Sequence, residues 1–158
     1  MFFDHPVAAL SNLRRALKPD GRMVFMCWRA IKENPWLYDA SRAAVALLPE
    51  EDRPKAPADP FAPGPFSMAD PQHLDCLLIE AGFSSIEIEP LDDVMHMGEV
   101  GSAIEYLLTL GPLRTLLEKV TEKQRGLALA EMKRALMNYV VDGVLEVPSA
   151  TWIVTARR

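Results

Sequence analysis

Apolar residues recur at helical spacing from Val7 through Leu10, Leu13 and Leu17, with Asn12, Arg14, Arg15 and Lys18 on the other side. This predicts an amphipathic helix. Asp4 is placed to cap it, and Pro6 suits a first turn that needs no N–H donor. Lys18-Pro19-Asp20-Gly21 ends it in a tight turn. The pattern then changes: Met23 to Trp28 is apolar without alternation, as expected of a strand buried on both faces. A second helix is predicted from Asn34 to about Leu48, its apolar side formed by Trp36, Leu37, Ala40, Ala44 and Leu47.

From Pro49 to Pro71 the pattern dissolves, because seven of the thirteen prolines fall there. Proline removes a backbone donor, so this stretch reads as a long loop or lid. Periodicity resumes with Asp70 as a cap, Pro71 in the first turn, and a stripe of Leu74, Leu77, Leu78 and Ala81 that Gly82 terminates. Phe83 is expected to fold back on that helix. Ser85 to Pro90 alternates strictly, which predicts a strand near a sheet edge with one wet face. Residues 98–140 form a helical insertion. It breaks at Gly111-Pro112, continues with a stripe of Leu113, Leu116, Leu117 and Val120, and restarts at a Thr121/Gln124 capping box. Asp142-Gly143 is a turn, and Ala150 to Ala156 is a final strand.

Composition narrows the class. At 158 residues, 49% hydrophobic and 25% charged, the chain suits a single globular domain over 1–158. A net charge of −5 and scattered basic residues argue against nucleic acid or an anionic membrane surface as partner. Cys27 and Cys76 each sit in an apolar run and read as buried free thiols. With no signal-peptide pattern, the cytoplasm is the expected compartment. His5, His73 and His96 have no ligand-like spacing, so no metal is expected. Glu50-Glu51-Asp52 and Asp92-Asp93 read as solvated loop charges.

Three phrases carry a resemblance. Asn12-Leu13-Arg14-Arg15-Ala16-Leu17-Lys18-Pro19-Asp20-Gly21-Arg22-Met23-Val24-Phe25 resembles the helix and turn that lead into the fifth strand of class I S-adenosylmethionine-dependent methyltransferases. Leu77-Leu78-Ile79-Glu80-Ala81-Gly82-Phe83-Ser84-Ser85-Ile86-Glu87-Ile88 resembles that family's Ala-Gly-Phe exit into its sixth strand, and Thr151 to Arg157 its seventh. The resemblance implies an α/β fold: the C-terminal half of a Rossmann-like methyltransferase. About three strands are expected, in a mixed sheet with the last strand antiparallel, together with flanking helices and the insertion. The implied activity is methyl transfer from S-adenosylmethionine to a small-molecule acceptor.

The family's cofactor residues have no positions here. Such ligands lie over a glycine-rich turn after the first strand, and the chain contains no Gly-x-Gly. The match begins after the family's fourth strand, so the cofactor-binding half, roughly 100 residues, is expected to be missing and the isolated chain inactive. Methyl transfer needs in-line positioning and exclusion of water more than acid–base groups. By resemblance the reaction centre faces Phe2, Phe3, His5 and Trp28. Trp36, Tyr38 and Phe66 border the lid, and Met95, His96, Met97 and Tyr106 lie where the family's insertion lines its acceptor pocket. For the apolar and aromatic members the competing reading is core packing. For His5, a weak candidate base, it is a solvated helix entrance.

Without the fourth strand, Met23–Cys27 is an apolar edge lacking proline or charge, and something is expected to cover it: a second copy in a homodimer, or a separate N-terminal half. A truncated gene product is a third possibility. The alternative to catalysis is a non-catalytic, self-associating scaffold or binding module.

Overall fold

A computed structural model describes residues 1–46, 48–53, 59–109 and 113–158, the side chains of residues 52, 113, 115 and 116 excepted. In chain order the elements are α1 (Pro6–Ala16), β1 (Arg22–Trp28), α2 (Pro35–Val45), α3 (Pro71–Glu80), β2 (Ser84–His96), α4 (Val100–Thr109), α5 (Leu113–Glu118), α6 (Glu122–Leu136), β3 (Val140–Val141) and β4 (Val144–Arg157). They form two compact units interleaved along the chain. One comprises Met1–Glu33, Pro57–Asp92 and Ala150–Arg158; the other comprises Asn34–Ala56 and Asp93–Ser149. Among the described residues no helix is long and apolar enough to cross a membrane.

In the first unit α1 ends at the expected turn, closed by Gly21 N–H donating to Lys18 O at 2.9 Å. Asp20 takes φ +59 there, and a Cβ on Gly21 would stand 2.7 Å from the Lys18 carbonyl oxygen, so only glycine fits without a shift. β1 then pairs antiparallel with β4, from Arg22 opposite Arg157 to Trp28 opposite Thr151. The strand order is β1-β4-β2, so β1 and β2 are both edges. β1 is not buried on both faces as its unbroken apolar run suggested. Met23, Phe25 and Cys27 face the core, while Val24 and Met26 are 51% and 57% exposed. An unbroken run reports that both faces are apolar; it does not show that both are covered.

α3 packs beside α1 with the predicted cap: Asp70 accepts from Gln72 N (2.8 Å) and His73 N (3.3 Å). Its stripe of Leu74, Leu77, Leu78 and Ala81 is buried with Leu10, Cys27, Phe83, Val154 and Ala156. At its end Gly82 adopts φ +88, Gly82 N–H reaches Ile79 O and Phe83 N–H reaches Leu78 O, the paired bonds of a Schellman motif. Asp4, by contrast, does not cap α1. The N-cap is His5, and no side chain bonds the free N–H groups.

β2 runs past Pro90 to His96, farther than alternation alone suggested, because an edge strand has one side on which a missing N–H costs nothing. The segment 59–69 is not a free lid. Gly64 N and Ser67 Oγ both donate to Met1 O, Trp152 Nε1 donates to Ala69 O at 2.8 Å, and Met68 is buried in the core. Residues 54–58 of the expected lid lie outside the described residues. Cys76, expected to be buried, is exposed.

In the second unit α2 packs on α6, burying Trp36, Ala40 and Ala44 on one helix and Ala128, Met132 and Leu136 on the other. The Thr121/Gln124 capping box is present in both directions. α6 gives way to a short 3-10 turn (Met137–Tyr139) and then to a hairpin in which Val140 pairs Leu145 across Asp142-Gly143, both at positive φ. Leu47, the Gly111-Pro112 break and the side chains of Leu113 and Leu116 lie outside the described residues. The sheet has four strands rather than about three and antiparallel rather than mixed pairings; the last strand, β4, is antiparallel as expected.

Candidate functional site

β1 and α1 lie antiparallel because the Lys18–Gly21 turn reverses the chain between them. Beside β1 and beneath α1 is a recess of about 210 Å³. α1 supplies Leu10 and Leu13, β1 supplies Met23, Phe25, Met26 and Cys27, and Met1, Phe3 and Met68 close it. Its one reactive group is the Cys27 thiol. That thiol donates to Met68 O at 3.6 Å, and burial pushes its pKa up to about 11, slightly offset by the nearby Met1 ammonium. At neutral pH it is a protonated, weakly nucleophilic core residue.

A polar cluster caps the Trp28 end of β1. Arg29 Nη1 donates to Asp92 Oδ1 at 2.7 Å and Nη2 donates to Glu33 Oε1, while the guanidinium lies 5.2 Å from the centroid of the Trp152 ring. Glu33 also accepts from Ala30 N at 3.2 Å. The Arg29 side chain is 17% exposed, and its Nε is buried with no hydrogen-bond partner among the described residues. Asp92 is therefore a solvated charge as expected, but on a strand and in an ion pair rather than in a loop. Arg29 is not among the residues that the sequence nominates. The signal available was a charged residue set directly after an apolar strand.

The residues proposed from sequence divide between the units. Phe2 (69% exposed), Phe3, His5 and Trp28 belong to the first, and of these Phe3 lines the recess. His5 lies in a separate shallow depression formed by Asp4 to Ala8. Trp28 is half-buried at the end of β1. Trp36, Met95 and Tyr106 belong to the second unit. Trp36 is fully buried in α2, Met95 half-buried in β2, and Tyr106 exposed on α4. Among the lid residues, Tyr38 is exposed with Arg42 over its ring, and Phe66 is half-buried. His96 meets Glu146 at 3.4 Å.

The second unit also carries a groove of about 540 Å³ between α2 and α6, with Asp39, Arg42, Glu131 and Arg134 on its walls. Tyr139 has its pKa raised by burial and by the Asp39 carboxylate.

S-adenosylmethionine does not fit the recess. An apolar hollow walled by methionine, leucine and phenylalanine side chains offers no carboxylate or side-chain acceptor pair for a ribose, and its one charged group is the Met1 ammonium. No protein-family model matches the chain, and no curated protein matches it.

Proposed function

We propose that this chain is the acceptor-side half of an S-adenosylmethionine-dependent methyltransferase acting on a small molecule. On this reading the cofactor residues come from outside these 158 residues, from an N-terminal half in cis or on a partner chain. The observation that carries the reading is the antiparallel pairing of β1 with the terminal strand β4, with no partner strand on the other edge of β1 among the described residues. The resemblance requires the fifth strand to pair with the seventh on one side and with an upstream strand on the other. The order of helix, glycine turn, apolar strand and Ala-Gly-Phe exit agrees with it as well.

The roles open to this chain are steric. Phe2, Phe3 and Trp28 would wall the acceptor and exclude water, and Arg29, held by Asp92 and Glu33, would fix the end of β1. The residues present do not hold the cofactor, so no chemical step is assigned to them. The exposed apolar strand favours one other reading, a non-catalytic binding module.

Calorimetry with S-adenosylmethionine tests the proposal, first on the chain alone and then after co-expression with the reading frame immediately upstream of the Met1 codon. Micromolar binding in the second case only is expected. Binding by the chain alone would overturn the account of the cofactor half, and no binding in either case would sink the methyltransferase reading.

A further inference from the structure

We infer that the open edge of β1 takes one extended strand from another polypeptide, apolar on the side facing α1 and acidic at the end beside Arg22. This deepens the proposal above by naming the partner's chemistry, but it rests on the edge itself. Arg158 N–H donates to Gly21 O and Arg29 N–H donates to Ala150 O, so the odd-numbered residues of β1 bond to β4. The backbone groups of Arg22, Val24, Met26 and Trp28 therefore point outward, with no partner strand among the described residues. A row of unpaired donors and acceptors calls for a strand, not a helix or a lipid.

The recess beside that edge indicates how many layers the occupant brings. Leu10 and Leu13 of α1 line it together with Met23, Phe25 and Cys27, so α1 covers this face of β1 at the open edge. A second copy offering its own β1 would carry a second α1 onto the same face. Paired strands lie about 4.8 Å apart, whereas packed helices need about 8–10 Å. A single uncovered strand avoids that conflict and sends its alternate side chains into the recess.

Charge supplies the polarity. Arg22, Arg157 and Arg158 gather at one end of the edge, with Lys18 and Asp20 in the adjoining turn. Arg22 and Arg157 stand directly opposite each other in the ladder, an unfavourable like-charge pair that an acidic neighbour would offset.

The test uses the whole chain without S-adenosylmethionine, so its outcome is independent of the calorimetry above. The probe is a short fluorescein-labelled peptide of alternating valine and threonine with two aspartates at one end. A control carries lysines in their place. Anisotropy should show micromolar binding of the acidic peptide, about tenfold tighter than the control. Arg22→Glu should narrow that preference, and Arg22→Glu combined with Arg157→Glu should abolish it. Val24→Pro should abolish binding while preserving the far-UV spectrum, because the amide it removes lies outside the β4 ladder. No binding, equal binding of both peptides, or binding that survives Val24→Pro would each overturn the inference. So would sedimentation as a stable dimer with the Val24 and Met26 amides protected.

Discussion

Cys27 and Cys76 read alike in sequence, yet burial gives them opposite chemistry. A thiol reagent at pH 7 is expected to modify Cys76 rapidly and Cys27 only after denaturation, which mass spectrometry of the labelled peptides would establish. The folded state keeps the Cys27 proton up to about 11, whereas an unfolded thiol releases it near pH ~8.5. Between those values the unfolded chain binds fewer protons, so this residue makes stability fall as pH rises. Thermal midpoints measured from pH 7 to 11 should therefore decline more steeply for the parent than for Cys27→Ala. Parallel curves would show that the thiol is not desolvated. Arg29 is the residue-scale feature sequence did not yield, because Glu33 is four residues away and Asp92 sixty-three. Only folding brings the second carboxylate to it.

Elements with local chemistry were legible. The Asp70 cap, the Thr121 box, the Gly82 exit and the Asp142-Gly143 turn all depend on neighbours within a few residues. Asp70→Ala should cost about 1 kcal/mol by urea titration, the usual worth of an N-cap. Gly21→Ala should cost roughly 1–3 kcal/mol, since its Cβ would press on a backbone carbonyl that cannot swing away. An alanine variant as stable as the parent would mean that the turn relaxes freely. Two expectations misled, one for a local reason and one for a long-range reason. Asp4 sits before a proline-led helix but lies outside the cap position. β2 continues through Pro90 because its ladder partner lies on one side only.

At the scale of the molecule, unit one is held by α1 and α3 on one face of the sheet, and Leu74, Leu78 and Val154 are fully buried there. Leu78→Ala is expected to cost about 2–5 kcal/mol, measured by denaturant unfolding. Hydrogen exchange should be fast at the Val24 and Met26 amides and slow at Phe25, whose groups face β4. Protection at all three in a monomeric sample would mean that the edge is already covered.

Sequence alone determined the main helices and β1, the Asp70 and Thr121 caps, the glycine turns and the stripe of α3 that is core, but not the early start of β4 at Val144, the short β3 or the full run of β2. Each feature it determined follows from contacts a few residues apart or from the 3.6- and 2-residue periods of the backbone. Tertiary structure decided the strand order, the exposed face of β1, the fate of each cysteine and the two carboxylates on Arg29. Those depend on which distant segment arrives beside a residue, and an apolar pattern records the readiness of a face to be buried without saying what will cover it.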